Sequence, residues 1–464
     1  MSDTALVWFR RDLRLADNPA LHAAAKAHRK LVPVYIFAPD EESPWSIGAA
    51  GRWWLHCSLQ ALRAALRARG SDLILRRGPT LQVLTDIIHS ERISHVYWNR
   101  LYEPKLLQQE SNAKTALMRM GVQSRLFDGD MLRDPWSVLN KAGRPYQVFT
   151  PYWKALSREM VPEKPLPAPR SLPPVRPGLK KGRLNELGLL PANDWYRTFE
   201  DYWQPGEEGA RRRQDYFVRK QFEHYDRMRD LPAEQATSTL SPHLHFGEIT
   251  VRRLVFHLLQ AKSRYPFGIN KQIDAYLRQL GWREFSRYLL VHFPYSGEQP
   301  LKEQYRRFPW RRNIQADLQR WQQGLTGIPI VDAGMRELWA TGWMHNRVRM
   351  IAASFLTKNL RIHWLEGARW FWDTLLDADL ANNTMGWQWV AGCGADAAPY
   401  FRIFNPLTQA QKFDSTGEYI HKWVPELRTQ TDRSAAGYPQ PMVDLKTSRE
   451  QALSAYRKLV GKQE

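Results

Sequence analysis

The chain has 464 residues, and its 67 Lys and Arg against 47 Asp and Glu give a formal net charge of +20. This length suggests two or three domains, and the basic excess predicts a polyanionic partner such as nucleic acid. Two cysteines cannot form a disulfide framework or a four-ligand zinc site, and the longest apolar runs are far shorter than the ~20 residues of a transmembrane helix. The N-terminus lacks a signal-peptide pattern, so we expect a cytoplasmic protein without a metal or a membrane span.

The first 130 residues alternate between short apolar or β-branched runs and helix-like stretches. The first helix is expected to begin at Pro19 with Asn18 as its N-cap, because Asn caps helices well and proline suits the first turn. Strands alternating with helices predict an α/β fold in which this domain is a doubly wound parallel sheet. The predicted strands are residues 5–10, 31–37, 72–75, 95–98 and 125–127.

The amino-acid pattern of the chain changes twice after this domain. Seven prolines in residues 162–177 exclude a helix or a central strand there, so residues 131–193 are predicted to be an interdomain linker. From residue 194 onward, long stretches with 3.6-residue spacing predict an all-helical second domain that extends to residue 464.

Two short motifs allow more than one interpretation. Residues 392–397 (GCGADA) fit a dinucleotide-binding pattern, but they follow a helical segment and not a strand, which argues against such a site. Residues 237–241 (TSTLS) precede Pro242 at a predicted helix start. Their hydroxyls either cap that helix or, with its free N–H groups, bind a phosphate.

The stretch 343–350 places Asn346 and Met350 on one face of a predicted helix, because residues four apart are neighbours there. Arg349 then points elsewhere, toward an acidic partner in the segment 377–379. Residues at this helical spacing usually belong to a hydrophobic core, and the pattern alone does not decide between a core and a binding site.

Several segments together resemble the photolyase/cryptochrome family, and in particular the microbial cyclobutane pyrimidine dimer photolyases. They are collinear with the family from the first strand to about residue 425. The segments are 8–14 (WFRRDLR), 237–242 (TSTLSP), 281–285 (GWREF), 326–332 (TGIPIVD), 341–347 (TGWMHNR), 379–383 (DLANN), 386–389 (GWQW) and 400–406 (YFRIFNP).

The resemblance implies FAD, active as FADH⁻, in the helical domain. The family's FAD contacts would correspond to Tyr225, Thr237, Ser238, Thr239, Leu240, Ser241, Trp282, Arg283, Trp343, Asn346, Arg349, Asp377, Asp379 and Asn383. In this assignment Arg349 pairs with Asp377, and Asn383 lies beside flavin N5, where an amide can bond either protonation state without adding charge.

The resemblance also implies light-driven repair of a cyclobutane pyrimidine dimer in UV-damaged DNA, with an electron passed from excited FADH⁻ to a dimer flipped out of the duplex. Residues implied to contact the dimer or the DNA backbone are Arg229, Gln279, Trp282, Asn346, Arg347, Met350, Trp389 and Arg402. Residues Trp387, Trp364 and Trp310 match the family's electron relay to the flavin.

The chain departs from the family at Gln279, where a glutamate is usual. A glutamine can donate a hydrogen bond to the dimer's carbonyl but cannot supply a proton, so less efficient splitting is expected. Glutamine is also found in (6-4) photolyases, which however place histidines at the positions of Asn346 and Met350. A (6-4) enzyme, a blue-light cryptochrome receptor and a DNA-binding protein with structural FAD are the alternatives.

An antenna chromophore is expected near residues 51–55 and 102–105, where the family binds methenyltetrahydrofolate or 8-hydroxy-5-deazaflavin. The sequence around Arg52 favours the folate, because it resembles the photolyases related to plant cryptochromes. One compact basic face for DNA suits a monomer.

Overall fold

A computed structural model of the chain describes residues 4–161, 163–263, 267–397, 401–428 and 437–461. Its strands are β1 (Thr4–Phe9), β2 (Lys30–Phe37), β3 (Ile74–Arg77), β4 (His95–Asn99) and β5 (Gln123–Phe127). Within the described residues these strands form one parallel sheet in the order β3-β2-β1-β4-β5. The predicted α/β sheet domain is confirmed.

Strand β1 lies at the centre of this sheet and is buried along its whole length. Val7 and Phe9 face one hydrophobic cluster, while Leu6 and Trp8 face another on the opposite side of the sheet. Because helices cover both faces of a parallel sheet, its central strand reads as a continuous apolar run and not as an alternating one.

Helices α1 (Pro19–Ala27), α2 (Ala49–Arg67), α3 (Thr80–Glu91) and α4 (Pro104–Arg119) belong to this domain. The expected start of α1 is confirmed, since the Asn18 side chain accepts a hydrogen bond of 3.1 Å from the backbone N–H of Leu21. This bond satisfies one of the N–H groups that a helix start leaves without a partner.

The segment between the two domains is only partly extended. Described residues 163–177 contain neither helix nor strand, as their prolines predict, whereas Pro162 lies outside the described residues. Residues 131–193 also contain helix α5 (Phe149–Arg158), whose buried residues Phe149, Tyr152 and Leu156 follow helical spacing. The helix packs against the second domain, and the domain boundaries at residues 130 and 193 stay predictions.

The second half is mostly helical, as predicted. Its helices are α6 (Glu207–Tyr216), α7 (Tyr225–Met228), α8 (Ser241–His245), α9 (Val251–Lys262), α10 (Phe267–His292), α11 (Gln315–Gln322), α12 (Pro329–Thr341), α13 (Asn346–Ser354), α14 (Trp364–Thr374), α15 (Leu380–Ala391), α16 (Pro406–Phe413), α17 (Glu418–Trp423) and α18 (Leu445–Val460). A large apolar cluster that includes Trp321 and Trp364 draws most of its residues from the chain between α10 and α18. None of the helices in the described ranges is long and apolar enough to cross a bilayer.

Buried polar contacts join the sheet domain to the helical domain. The Arg14 guanidinium donates to the carbonyl of Gly247 at 2.8 Å. Asp17 is almost completely buried and receives hydrogen bonds from Arg252 and Thr250. Burial alone would raise the pKa of Asp17, but these two donors hold it below its ordinary value. The two domains therefore share an interface that contains an ionised carboxylate.

Candidate active site

A cavity of about 630 Å³ opens in the helical domain, within the size range of cofactor sites. It is lined by parts of α10, α13, α14 and α15 and by the loop after α15. Among the predicted site residues, it is bordered by Arg229, Gln279, Trp282, Asn346, Arg347, Arg349, Met350, Asp377, Asp379, Asn383, Trp387, Trp389 and Arg402. Residues that are as far apart in sequence as Arg229 and Arg402 thus line the same cavity.

Other predicted site residues do not border this cavity. They are Tyr225, Thr237, Ser238, Thr239, Leu240, Ser241, Arg283, Trp343, Trp310 and Trp364. Arg283 binds Asp130 and Glu284, and Trp343 lies under the guanidinium of Arg349. Their assignments to FAD or to electron transfer stay predictions.

Helical spacing brings the cavity residues together. Asn346 and Met350 lie on one face of α13, and the Asn346 amide approaches the Met350 sulfur at 3.9 Å. Asn383 and Trp387 are placed in the same way on α15. The i,i+4 pattern therefore lines a cavity here, although residues at this spacing more often belong to a core.

The predicted pair of Arg349 and Asp377 is confirmed, with 2.9 Å between Arg349 Nη2 and Asp377 Oδ2. The Asp377 side chain is only 4% exposed, and Arg349 also donates to the carbonyl of Met344. Asp377 Oδ1 is buried and has no hydrogen-bond partner among the described residues. A buried acceptor without a partner is costly, so this oxygen is suited to a donor group of a ligand.

The side-chain amide nitrogen of Asn383 forms a hydrogen bond within the protein. Its Nδ2 donates to the carbonyl of Ala368 at 3.0 Å, which fixes the orientation of the amide. The side-chain oxygen is left as an acceptor beside the cavity. It can receive an N–H donor from a bound molecule without introducing a charge.

Asp379 is held by the protein on both of its oxygens. Its Oδ1 accepts from the Asn382 backbone and side chain, and its Oδ2 lies 2.8 Å from Arg287 Nη2. Burial would raise the pKa of Asp379, but the charge of Arg287 and the proximity of His245 hold it well below its ordinary value. Asp379 thus contributes a fixed negative charge to the cavity wall.

The cavity wall includes an ion pair that no sequence motif predicts. Arg347 Nη2 lies 2.8 Å from Asp230 Oδ2, and its guanidinium also lies 4.3 Å from the ring centre of Phe413. Asp230 has no distinctive local pattern, because its partner comes from α13, more than a hundred residues away. The only available signal is its position next to Arg229.

A buried acid lies behind α13. Glu337 accepts hydrogen bonds from the Tyr419 hydroxyl at 2.6 Å and from the His345 backbone N–H. Burial raises the pKa of Glu337 to about 7 and lowers the pKa of His345 to about 4. The sequence offers no sign of this cluster, whose members are brought together only by the packing of α12, α13 and α17.

The Thr237–Ser241 run leads into α8, as expected, but the helix has no side-chain cap, so the expectation that these hydroxyls cap it is wrong. Arg213 donates to the Ser238 carbonyl and binds the Thr239 hydroxyl, while Tyr276 donates to Ser238 Oγ at 3.0 Å. Thr239 has a positive φ of 47°, which places the run in a tight turn. The hydroxyls are thus partly used within the protein, and phosphate binding stays a prediction.

The tryptophans of the predicted relay differ in burial and in their position relative to the cavity. Trp387 borders it, Trp364 is buried, and Trp310 is half-buried. The ring of His363 lies between the latter two, with centres 5.7 Å from Trp364 and 5.1 Å from Trp310. A ring-to-ring path therefore connects Trp364 with Trp310.

The dinucleotide-like segment 392–397 lacks the strand that such a site needs, and the two histidines of α8 have acidic partners. The segment 392–397 follows α15, and Gly392 ends that helix with a φ of 91°, so no strand precedes it. His243 pairs with Glu248, and His245 lies 3.6 Å from Asp379. Of the family-like segment 400–406, Tyr400 lies outside the described residues.

Comparison with known proteins identifies the family. The sequence model "DNA photolyase" matches residues 5–170, and the model "FAD binding domain of DNA photolyase" matches residues 276–458. A deoxyribodipyrimidine photo-lyase of Agrobacterium fabrum is 43% identical, with 97% of each chain covered. Cryptochrome-2 of Arabidopsis thaliana is 38% identical over 97% of this chain and 78% of its own length.

The solved structures agree with this result. The crystal structure of a bacterial class III photolyase from Agrobacterium tumefaciens matches with a TM-score of 0.93 and 41% identity, and it covers 99% of this chain and 98% of that one. The chain therefore belongs to the photolyase/cryptochrome family, in the photo-lyase enzyme class of its full-length bacterial relatives.

Proposed function

We propose that the chain repairs cyclobutane pyrimidine dimers in UV-damaged DNA in a light-dependent reaction that uses reduced FAD. One observation supports this above all. A single cavity contains polar groups suited to a flavin, Asp377 and Asn383, and two indoles suited to flipped bases, Trp282 and Trp389. A flavin and a dimer bound there would lie next to each other.

The residues of the cavity fit FAD. Asp377 Oδ1 is a buried acceptor without a partner in the described part of the chain. At Gly386, apart from the adjacent residues and backbone of α15 itself, no described atom lies within 4 Å of where a Cβ would be, so this side of the helix leaves room for a bulky group. Arg349, Asp377 and Asn383 would hold the flavin ring. When bound and reduced, FAD supplies one electron under blue or near-UV light and regains it after the cyclobutane ring splits.

The chain's own residues bind and orient the substrate. Trp282 and Trp389 would stack on the flipped pyrimidines, and such stacking is worth about 1–3 kcal/mol per base. Flipping costs less for a damaged base than for an intact one, which contributes to selectivity. Arg229, Arg347 and Arg402 would contact phosphates, and each neutralised phosphate steepens the salt dependence of binding by about one unit.

Asn383 would form a hydrogen bond with the flavin, and Gln279 would form one with the dimer. With its Nδ2 committed to Ala368, the Asn383 oxygen can accept an N–H of the reduced flavin. Gln279 borders the same cavity and can donate an amide N–H to a dimer carbonyl. It cannot transfer a proton, so the splitting efficiency of this chain is expected to be below that of a glutamate variant.

The relay of Trp387, Trp364 and Trp310 remains part of the proposal. It would carry electrons from the protein surface toward an oxidised flavin. The ring contacts of His363 with both Trp364 and Trp310 support its outer half. This reduction is separate from repair, since repair itself involves no net redox change.

For the antenna, we propose a folate in a second cavity. This cavity of about 440 Å³ is bordered by Arg52 and by the stacked indoles of Trp195, Trp339 and Trp370. Parallel indoles suit a pterin ring, and the arginine suits the carboxylates of a glutamate tail. A cavity near residues 102–105, bordered by Leu101 and Leu106, has only about 40 Å³, which is too small for either chromophore.

A cryptochrome receptor is the second candidate, because Cryptochrome-2 of Arabidopsis matches nearly the whole chain. The test is repair of a single thymine dimer in an oligonucleotide by chemically reduced holoenzyme, in light and in darkness. Loss of the dimer only under illumination supports the proposal. Tight binding of the damaged DNA without repair would contradict it, and the same assay with a (6-4) photoproduct would then separate a (6-4) enzyme from a receptor.

A further inference from the structure

Two arginines of α10 share one carboxylate, which comes from the loop after β5. Arg283 and Arg287 are four residues apart and therefore lie on one face of the helix. Arg283 Nη2 lies 2.8 Å from Asp130 Oδ1, and Arg287 Nη1 contacts the other oxygen, Asp130 Oδ2. None of these three side chains is more than 13% exposed. Asp130 thus compensates two buried like charges that would otherwise repel each other.

Further hydrogen bonds hold Asp130 in this place. Arg283 Nη1 donates to the backbone carbonyl of Asp130 at 3.1 Å. The backbone N–H of Leu132 donates to Glu284 Oε2 at 2.7 Å, and the Glu284 side chain is completely buried. The segment 130–132 is therefore bonded to α10 through its backbone as well as through the Asp130 carboxylate, so the position of this carboxylate is well defined.

Arg287 extends the contact from α10 to α15. Its Nη2 lies 2.8 Å from Asp379 Oδ2, so the two terminal nitrogens of Arg287 bind two different carboxylates. Asp379 is the N-cap of α15, and its Oδ1 accepts from the Asn382 N–H at 3.0 Å. The Asn383 N–H donates to the Asp379 carbonyl at 2.8 Å. A continuous series of contacts thus leads from the loop after β5 to the first turn of α15.

This series joins two helices that border the candidate active site. Helix α10 carries Gln279 and Trp282, while α15 carries Asn383. A guanidinium presents its N–H groups in a rigid plane, so it holds two carboxylates in a fixed geometry. Because Arg287 lies between Asp130 and Asp379, the place of Asp130 bears on where α15 begins relative to α10.

We propose that Asp130 is a positioning residue for the flavin, which directs Arg287 toward Asp379 and thereby fixes the first turn of α15, where Asn383 lies. The inference rests on the function proposed above. Asp130 does not border the cavity of the candidate active site, so it would act only through Arg287. Without its carboxylate, Arg287 is held on one side only and is repelled by Arg283, and the start of α15 loosens.

The first test compares the release of FAD from Asp130→Asn and from the wild-type holoenzyme in darkness. The asparagine keeps the shape of the side chain and removes its charge. Release after dilution, followed by the rise of flavin fluorescence, is expected to be about tenfold faster, in line with one lost hydrogen bond between charged groups. Asp128→Asn is the matched control, because it makes the same charge change at a side chain that is 58% exposed. Its release rate should stay within about twofold of the wild type.

The second test follows amide hydrogen exchange of the same holoenzymes. Residues 380–384 should exchange about tenfold faster in Asp130→Asn, because the first turn of α15 opens more readily. Arg287→Lys keeps the positive charge, but its single nitrogen cannot hold two carboxylates in the geometry of a guanidinium, so it should have the same effect. The double variant should exchange no faster than either single variant, since both changes break the same link.

Release and exchange equal to those of the wild type in Asp130→Asn overturn the inference, as does an equal effect of Asp128→Asn. Additive effects in the double variant overturn the path through Arg287. Should Asp130→Asn fail to fold, Arg287→Lys decides by the same two measurements. A wild-type holoenzyme that does not repair the dimer would instead refute the proposed function, and release and exchange would still decide on the role of Asp130.

Discussion

The ion pair between Asp230 and Arg347 makes a quantitative prediction about DNA binding. Arg347 is one of the proposed phosphate contacts, yet part of its charge is compensated by Asp230 at 2.8 Å. A DNA phosphate must compete with this carboxylate. The Asp230 side chain is 38% exposed, so solvent screening limits the pair to about 1 kcal/mol or less.

We therefore expect Asp230→Asn to bind DNA more tightly by up to roughly fivefold, which corresponds to about 1 kcal/mol. The affinity for damaged DNA and the affinity for undamaged DNA should increase equally, because phosphate contacts carry no information about the bases. The dependence of log K on log salt should steepen by up to about 0.9, the value for one further released counterion.

The assay is a fluorescence anisotropy titration of a labelled oligonucleotide in darkness at several salt concentrations. Asp194→Asn is the control, because it makes the same change in net charge at an exposed pair with Arg197 that does not border the cavity. Weaker binding by Asp230→Asn, or a gain equal to that of the control, would refute the reasoning. The first result would mean that Asp230 orients Arg347 for its phosphate.

Three further predictions concern Gln279, Glu337 and Arg52. Gln279→Glu should raise the quantum yield of dimer splitting at unchanged affinity, measured as single-turnover repair at matched photon flux; equal yields contradict this. Because the pKa of Glu337 is raised from 4.5 to about 7, wild-type stability is fully present below pH 4.5 and falls as the pH rises to 7. In denaturant unfolding, the free energy of unfolding of Glu337→Gln should therefore rise by up to ~3 kcal/mol relative to that of the wild type across this pH interval. A difference between the two proteins that does not change with pH would exclude the raised pKa. Arg52→Gln should lower the content of bound folate, seen in the near-UV absorbance of the purified protein, and leave repair by direct excitation of FAD unchanged; full occupancy contradicts the antenna site.

The elements that could be predicted are those whose signal is local. Strands β1 and β2 are apolar runs, and the start of α1 follows from Asn18 and Pro19 alone. The spacing on α13 predicts only that Arg349 points away from Asn346 and Met350 toward an acidic partner in 377–379, and the family resemblance identifies that partner as Asp377. Helical periodicity thus predicts several of the residues that line the cavity.

The parts that could not be predicted depend on distant residues. Helix α5 was missed because the proline-rich stretch that follows it dominates the composition of residues 131–193, although Phe149, Tyr152 and Leu156 have helical spacing. Asp230 and Glu337 acquire their roles from partners on α13 and α17. No local pattern distinguishes such acids from ordinary surface carboxylates.

The buried interface between the sheet domain and the helical domain would matter for the proposed antenna. Asp17 is ionised and almost inaccessible there, and separating the domains would leave it without Arg252 and Thr250. Losing the partners of a buried charge is strongly unfavourable, so sliding of one domain over the other is suppressed. Transfer of excitation energy between two chromophores depends on their separation and mutual orientation. An antenna anchored across this junction would therefore keep a constant coupling to the flavin throughout the catalytic cycle.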